Sequence, residues 1–264
     1  HLVEGLQDAL DFAHMVGYPV VVKPDNGVGA NNTYKLKSDE DVHWFINTKD
    51  DNIYIMEEFV KGYVQTYDGI VDSQGNMLFE SGNITPLSLM DIVNDNGDSV
   101  YYLVKELPEK VRQAGLATIK SFGVKSRFVH LEFFILNEDQ EGLGKKGDVL
   151  GLEVNMRPAG GYTPEMYNYS QQTDVYKIWA DMIAFDYNTK PIGQRFWTAF
   201  YGRRDGRPYK FDDYEIMSRY GHKMVMWGRI PEALSGAMAN QMYVANFDTE
   251  EEMMQYYADL AAQY

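Results

Sequence analysis

The sequence predicts an α+β fold. Short β-prone runs alternate irregularly with helical stretches, and some of the runs lie across turn residues from one another, as hairpin strands do. No internal repeat, heptad pattern or low-complexity tract imposes a different architecture.

Leu6, Leu10, Ala13 and Val16 recur near helical spacing, which predicts a helix over Val3 to Val16. Gly17 ends it, since glycine readily takes the left-handed conformation at a helix C-terminus. Pro19-Val20-Val21-Val22-Lys23-Pro24 reads as a strand, and 25–33 as a loop rich in glycine and asparagine. Ser38 caps the next helix, with Asp41 placed to complete a capping box and Val42, Phe45 and Ile46 as its apolar face. Ile53 to Glu57 is a short strand. Thr66–Val71 and Met77–Ser81 form a hairpin about the turn Asp72-Ser73-Gln74-Gly75-Asn76. A helix is expected over Glu109–Phe122, followed by paired strands at Phe128–Leu136 and Val149–Asn155 and a helix at Asp174–Ala184. Beyond Pro191, Phe196–Phe200 and Met224–Trp227 read as strands and Thr249–Tyr264 as a last helix capped by Thr249.

A chain of 264 residues is long enough for one large domain or two modest ones. The net charge of −15 argues against general nucleic-acid binding. It leaves room for a nucleotide, whose phosphates a few cations, backbone N–H groups and metal ions can hold. The absence of cysteine excludes disulfides, thiolate metal sites and a cysteine nucleophile, and is compatible with a reducing cytoplasm. No apolar run spans a bilayer and no secretory signal opens the chain, so a cytoplasmic protein with no membrane partner is expected.

Three stations carry the chemistry. At the first, Lys23 ends a β-branched strand, where its point charge suits phosphate oxygens, and Gly27 and Gly29 let the following loop approach them. Taken alone, this reads as a strand, a surface lysine and a flexible turn. At the second, Ile53-Tyr54-Ile55-Met56-Glu57-Glu58-Phe59-Val60 runs an apolar strand into paired acids. The backbone there can meet an adenine edge, and alone it reads as a strand ending in solvated glutamates. The third is the most specific. Glu132 sits inside the apolar run Phe128–Phe134, where an ionised carboxylate is costly without compensation. On the returning strand, a period of two places Glu153, Asn155 and Arg157 on one face. If the strands pair, Glu132, Glu153 and Asn155 make an all-oxygen set suited to magnesium, and Arg157 offers a fork to a phosphate. A structural Glu153–Arg157 ion pair is the competing reading, though it leaves Glu132 and Asn155 unexplained.

The ordered series VVVKP with its glycine loop, MEEFV, HLEF and LEVNMRP resembles the ATP-grasp superfamily, and within it the branch similar to carbamoyl-phosphate synthase and other carboxylate–amine ligases. The resemblance covers about residues 15–180, and His-x-Glu followed by Glu-x-Asn-x-Arg-Pro is its most specific part. It implies an ATP-grasp fold, two α+β lobes clasping ATP, with 1–57 as the small lid lobe and 58–190 as the large catalytic lobe. The remainder, 191–264, is then a C-terminal extension packed on the large lobe. It implies ATP and Mg2+ as cofactors, with Mn2+ a candidate substitute. Lys23 then contacts phosphates, Gly27 and Gly29 belong to the covering loop, and Glu57, Glu58, Phe59 and Val60 form the adenine hinge. Glu132, Glu153 and Asn155 hold the metal and Arg157 stabilises acyl-phosphate formation. The implied partners are ATP and small-molecule carboxylate and amine substrates, with a second copy of the chain as a candidate.

The series also departs from that pattern. Where relatives read Glu-Tyr-Ser-Val-Asp after the hinge, this chain has Val64-Gln65-Thr66-Tyr67-Asp68, and only Asp68 is kept. The lid motif comes almost at once, so the resemblance implies a fragment lacking a preceding Rossmann-like domain. A non-catalytic ATP-binding module or regulatory subunit is the alternative, and a phosphotransferase a weaker third. His130 is expected beside the site as a hydrogen-bonding group, since magnesium prefers oxygen. Arg127, Arg203, Arg204 and Arg207 are candidates for gripping a substrate carboxylate, though for each a solvated surface role is the expected one.

Overall fold

The computed structural model describes residues 1–26, 32–86 and 97–264. The chain divides into two compact units, His1–Lys61 and Gly62–Tyr264.

The first unit holds helices α1 (Leu6–Val16) and α2 (Asp39–Thr48) and strands β1 (Val20–Pro24), β2 (Tyr34–Leu36) and β3 (Tyr54–Glu58). The strands form an antiparallel sheet in the order β2-β1-β3. Gly17 closes α1 with φ +85°, and its N–H bonds to the Ala13 carbonyl. Ser38 caps α2 by accepting from the Asp41 N–H, but the expected box is not completed. The Asp41 carboxylate accepts instead from the Lys37 N–H at 2.7 Å. Val20 and Val22 point into a core with Ala9, Ala13, Val42, Phe45, Tyr54 and Met56. By strand alternation, Val21 and Lys23 therefore occupy the sheet's other face, which Ile55 and Glu57 share.

The second unit is built on one sheet in which every pairing among the described residues is antiparallel. Its strands are β4 (Gly62–Val71), β5 (Met77–Ser81), β6 (Asn83–Thr85), β7 (Ser99–Leu103), β8 (Arg127–Leu136), β9 (Val149–Asn155), β10 (Trp197–Arg203), β11 (Met224–Arg229) and β12 (Gln241–Phe247). The order is β11-β12-β10-β7-β6-β4-β8-β9, with β5 added on β4. Residues beyond 190 thus supply three strands of this sheet, and Phe200 and Val244 lie in the same buried cluster as Ile70 and Phe128. The helices are α3 (Glu109–Ser121), α4 (Thr163–Ser170), α5 (Val175–Phe185), α6 (Asp213–Tyr220), α7 (Glu232–Met238) and α8 (Glu250–Ala261). None of the helices among the described residues is long and apolar enough to cross a membrane.

Alternation along β8 assigns its two faces different work. Val129, Leu131, Phe133 and Ile135 bury against Tyr67 and the α3 residues Val111 and Ile119. Each such side chain contributes roughly 1.5–3 kcal/mol. Phe128, His130 and Glu132 occupy the opposite face, where Phe128 packs with Tyr167 of α4 and Ile178 of α5. The hairpin turn expected at 72–76 is present. The Asp72 carboxylate accepts from the N–H groups of Gln74 and Asn76, both at 2.8 Å, and Gly75 has φ +90°.

Helix α3 sits close on the sheet because Gly115 has no side chain. A Cβ there would lie 2.3 Å from Cγ of the wholly buried Tyr67, whose hydroxyl donates to Glu80 at 2.6 Å. The ring is held at both ends and has little freedom to move aside. Gly115→Val is expected to lower the unfolding free energy by about 1–3 kcal/mol, read from urea denaturation; an unchanged midpoint would show that the helix can lift off the sheet without cost.

Candidate functional site

Strands β4, β8 and β9 run side by side, and their register gathers the acidic and amide groups of the third station. Glu132 pairs directly with Glu153, and His130 pairs directly with Asn155. Opposed residues of an antiparallel pair share a face, so these four side chains stand together. The β4 residues Thr66 and Asp68 join that face, opposite Glu132 and His130. A bulge follows between Glu132 and Phe133, so the direct opposition of the two acids ends where the site ends.

A continuous run of hydrogen bonds crosses these strands. The Asn83 N–H donates to the Thr66 hydroxyl at 2.9 Å, and that hydroxyl donates to Asp68 Oδ2. Asp68 Oδ1 lies 2.5 Å from His130 Nδ1, and His130 Nε2 lies 3.1 Å from Glu132 Oε1. Asp68 is wholly buried, which makes paired oxygens a necessity rather than an option. Burial of the His130 ring by itself would lower its pKa. The charge and hydrogen bond of Asp68, joined by those of Glu132, outweigh it and push the value up to about 10. Tyr167 lies wholly buried nearby, its hydroxyl held well above the ordinary value first by burial and then by the Asp68 charge.

Glu132 is half-buried, Asn155 is half-buried and Glu153 is exposed. The Asn155 Nδ2 is buried without a hydrogen-bond partner. Among the described residues no group of three or more His, Cys, Asp or Glu side chains is arranged to hold a metal ion alone. The donors present are two carboxylates and a carboxamide. That set fits magnesium, which takes few protein oxygens and completes its shell with water and phosphate, and does not fit a metal that needs a full protein cage. The register places Glu132, Glu153 and Asn155 on one face of the sheet.

Arg157 departs from the expected alternation. Strand β9 stops at Asn155, so Arg157 falls in a bend outside the ladder, exposed, with Nη1 donating to its own neighbour's carbonyl, Pro158, at 3.0 Å. It forms no ion pair with Glu153, and the competing structural reading of that couple is not realised. In the first unit, the Lys23 ammonium lies 2.5 Å from Glu57 Oε2, a diagonal contact across β1 and β3. Phe59 is covered by the Lys35 ammonium at 3.7 Å from the ring centroid, and Glu58 and Val60 are half-buried. Gly27 and Gly29 lie outside the described residues.

Arg203 and Arg204 are not surface groups. Both are buried and spend their guanidinium donors on backbone carbonyls, Arg203 on Leu260 and Phe211, Arg204 on Gly97, Ser235 and Gly236. They tie loops to the sheet, a role invisible without the third dimension. The contact between Asp68 and His130 was not foreseen from the sequence, which placed His130 beside the site without a partner. Its one signal was the survival of Asp68 at a spacing where the neighbouring pattern had changed.

No family model matches the chain, and no curated protein sequence matches it. Solved structures do. The L-amino acid ligase from Bacillus licheniformis superposes with a TM-score of 0.68 at 16% identity, covering 98% of this chain and 65% of the ligase. N5-carboxyaminoimidazole synthetase from Staphylococcus aureus, complexed with ADP, gives 0.69 at 9% identity, covering 98% and 66%. The biotin carboxylase domain of the 2-oxoglutarate carboxylase from Hydrogenobacter thermophilus, in complex with MgADP, ADP and bicarbonate, gives 0.65 at 12%, covering 98% and 60%. The chain therefore spans three-fifths to two-thirds of the length of these proteins. The fold is the ATP-grasp fold.

The raised pKa of His130 sets a pH dependence. Its folded value lies above the ordinary 6.5, so the stability it confers is complete below 6.5 and is lost as pH rises toward about 10. The unfolding free energy of the wild type minus that of His130→Gln is expected to be flat on the acid side and to decline between those two values. A difference that stays level through the window would show a ring that is neutral in the folded chain.

Proposed function

We propose that this chain is the nucleotide-handling part of an ATP- and magnesium-dependent ligase that joins a carboxylate to an amine through an acyl phosphate. The observation that carries the reading is the direct pairing of Glu132 with Glu153, with Asn155 on the same face of β8 and β9. Carboxylates set directly opposite one another on neighbouring strands repel, and a cation shared between half-buried Glu132 and exposed Glu153 would relieve that repulsion. The likeness to solved ligases, two of them holding ADP and one of these MgADP, supports a divalent cation that accompanies a nucleotide as the source of that charge, with the phosphates as its other neighbours.

Glu132, Glu153 and Asn155 would hold the magnesium, which when bound supplies positive charge against the phosphate oxygens. Lys23 adds a fixed cation for phosphate, and its present partner Glu57 keeps the ammonium directed along the sheet face until a phosphate competes for it. The backbone of Glu58, Phe59 and Val60 offers donors and acceptors to an adenine edge. Arg157, exposed and held only by a carbonyl, is free to turn its fork toward the group being transferred. No side-chain nucleophile is needed. The substrate carboxylate attacks the γ-phosphate, ADP leaves, and the amine then displaces phosphate from the acyl carbon. The work of these residues is positioning and charge compensation.

A second reading is a nucleotide-binding module without turnover. The thinned acid set favours it, since Asp68 alone stands where the family pattern after the hinge carries two acids.

One variant separates the two. Glu153→Gln removes one carboxylate charge while keeping shape. In the ligase reading, ADP release in the presence of candidate acids and amines falls by about 10²-fold or more, and nucleotide binding measured by calorimetry persists. ATP that binds tightly to the wild type with no ADP released under any acid and amine would favour the module. A wild-type chain with no measurable affinity for ATP would end both.

A further inference from the structure

Glu132 is the one candidate ligand that the fold grips from behind. Its Oε1 receives His130 Nε2 at 3.1 Å, while His130 Nδ1 faces Asp68 at 2.5 Å. With a carboxylate oxygen at each ring nitrogen, the ring can neither flip nor rotate without losing a contact. Asp68 is held in turn by the Thr66 hydroxyl, and Thr66 by the backbone N–H of Asn83. Every donor in this series meets one acceptor, so it has one arrangement, anchored at its far end in the main chain of β6. Its near end occupies one oxygen of Glu132 and leaves Oε2 for another partner. Asp68 is wholly buried and His130 nearly so, which excludes water from competing along the series.

We propose, on the strength of the ligase reading, that Asp68 and His130 are positioning residues that fix the Glu132 carboxylate for the divalent cation of a bound nucleoside phosphate. They touch neither nucleotide nor substrate and act through Glu132. Outer partners of this kind orient a ligand oxygen and limit its freedom, and their loss typically costs 10–100-fold in metal affinity. Neither residue belongs to the nucleotide-contacting series read from the motifs, and their contact is made across two strands 62 residues apart in sequence.

The test compares two substitutions at one position. The His130→Asn amide can occupy the Nδ1 position facing Asp68 but reaches no further. The His130→Gln amide can occupy the Nε2 position and donate to Glu132. Mn2+ affinity in the presence of ADP is measured by electron paramagnetic resonance, ADP affinity without metal by calorimetry, and the thermal midpoint alongside. His130→Asn is expected to weaken Mn2+ about 10–100-fold, leave metal-free ADP binding unchanged, and be largely rescued by His130→Gln. A purely structural role would lower the thermal midpoint and both affinities together. Wild-type Mn2+ affinity in folded His130→Asn overturns the positioning role while leaving the ligase reading intact. A wild-type chain that takes up neither Mn2+ nor ADP overturns both. Should the variants fail to fold, the ring 15N resonances of the wild type decide the matter. Ring resonances that shift on adding MgADP are expected, and a ring that does not respond overturns the role.

Discussion

The buried carboxylate of Asp68 is the constraint around which the site is organised. A charge fully removed from water is tolerated only when its oxygens are matched, and the match here comes from β4 and β8, with β6 holding the Thr66 hydroxyl in turn. β6 contributes a backbone donor, β4 the Thr66 hydroxyl and β8 the imidazole. Slipping any of these strands by one residue would turn its partner to the opposite face and strand the charge. The register of β4 against β8 is therefore specified twice, by the apolar row Val129, Leu131 and Phe133 on one side and by this polar row on the other. The positions of Glu132 and, through it, Glu153 are consequences of that double specification.

The candidate site was legible in sequence where its geometry is local. Glu153 and Asn155 lie two apart on a strand, His130 and Glu132 likewise, and a period of two suffices to align them. Opposition of the two pairs needed only that consecutive strands joined by a polar loop pair with each other, which is the usual outcome. What the period could not show was where β9 ends. Arg157 continues the alternation on paper, yet the ladder stops at Asn155 and Pro158 follows, so the arginine leaves the sheet. Nor could Asp68 be matched to His130, because long-range pairing leaves no mark in either segment alone. Gly27 and Gly29, lying outside the described residues, add nothing on either side.

The fold was legible to a similar depth. Helices with a clear apolar stripe and a cap, such as α1, α2 and α8, stood out, and so did the long strand β8. The short strands β2, β6 and β7 were not read, being three to five residues long and carrying polar positions that face other elements. β12 was missed as well. Gln241-Met242-Tyr243-Val244-Ala245-Asn246-Phe247 is buried on both faces, so it shows no alternation, and its flanking polar residues obscure its apolar centre. The buried arginines follow the same logic. Arg203 and Arg204 look solvated in a polar stretch, and only tertiary folding brings carbonyls to their donors.

The two acids of the candidate site are held unequally. β8 is flanked by β4 and β9, whereas β9 is the last strand of the sheet among the described residues, hydrogen-bonded along one margin only. Glu132 therefore belongs to the interior of the sheet, and Glu153 with Asn155 to a border strand that opens more readily. A site divided in this way has a fixed jaw and a compliant one. Loading and unloading a charged ligand would then be governed by the looser strand, while the stiffer one keeps the geometry to which the site returns.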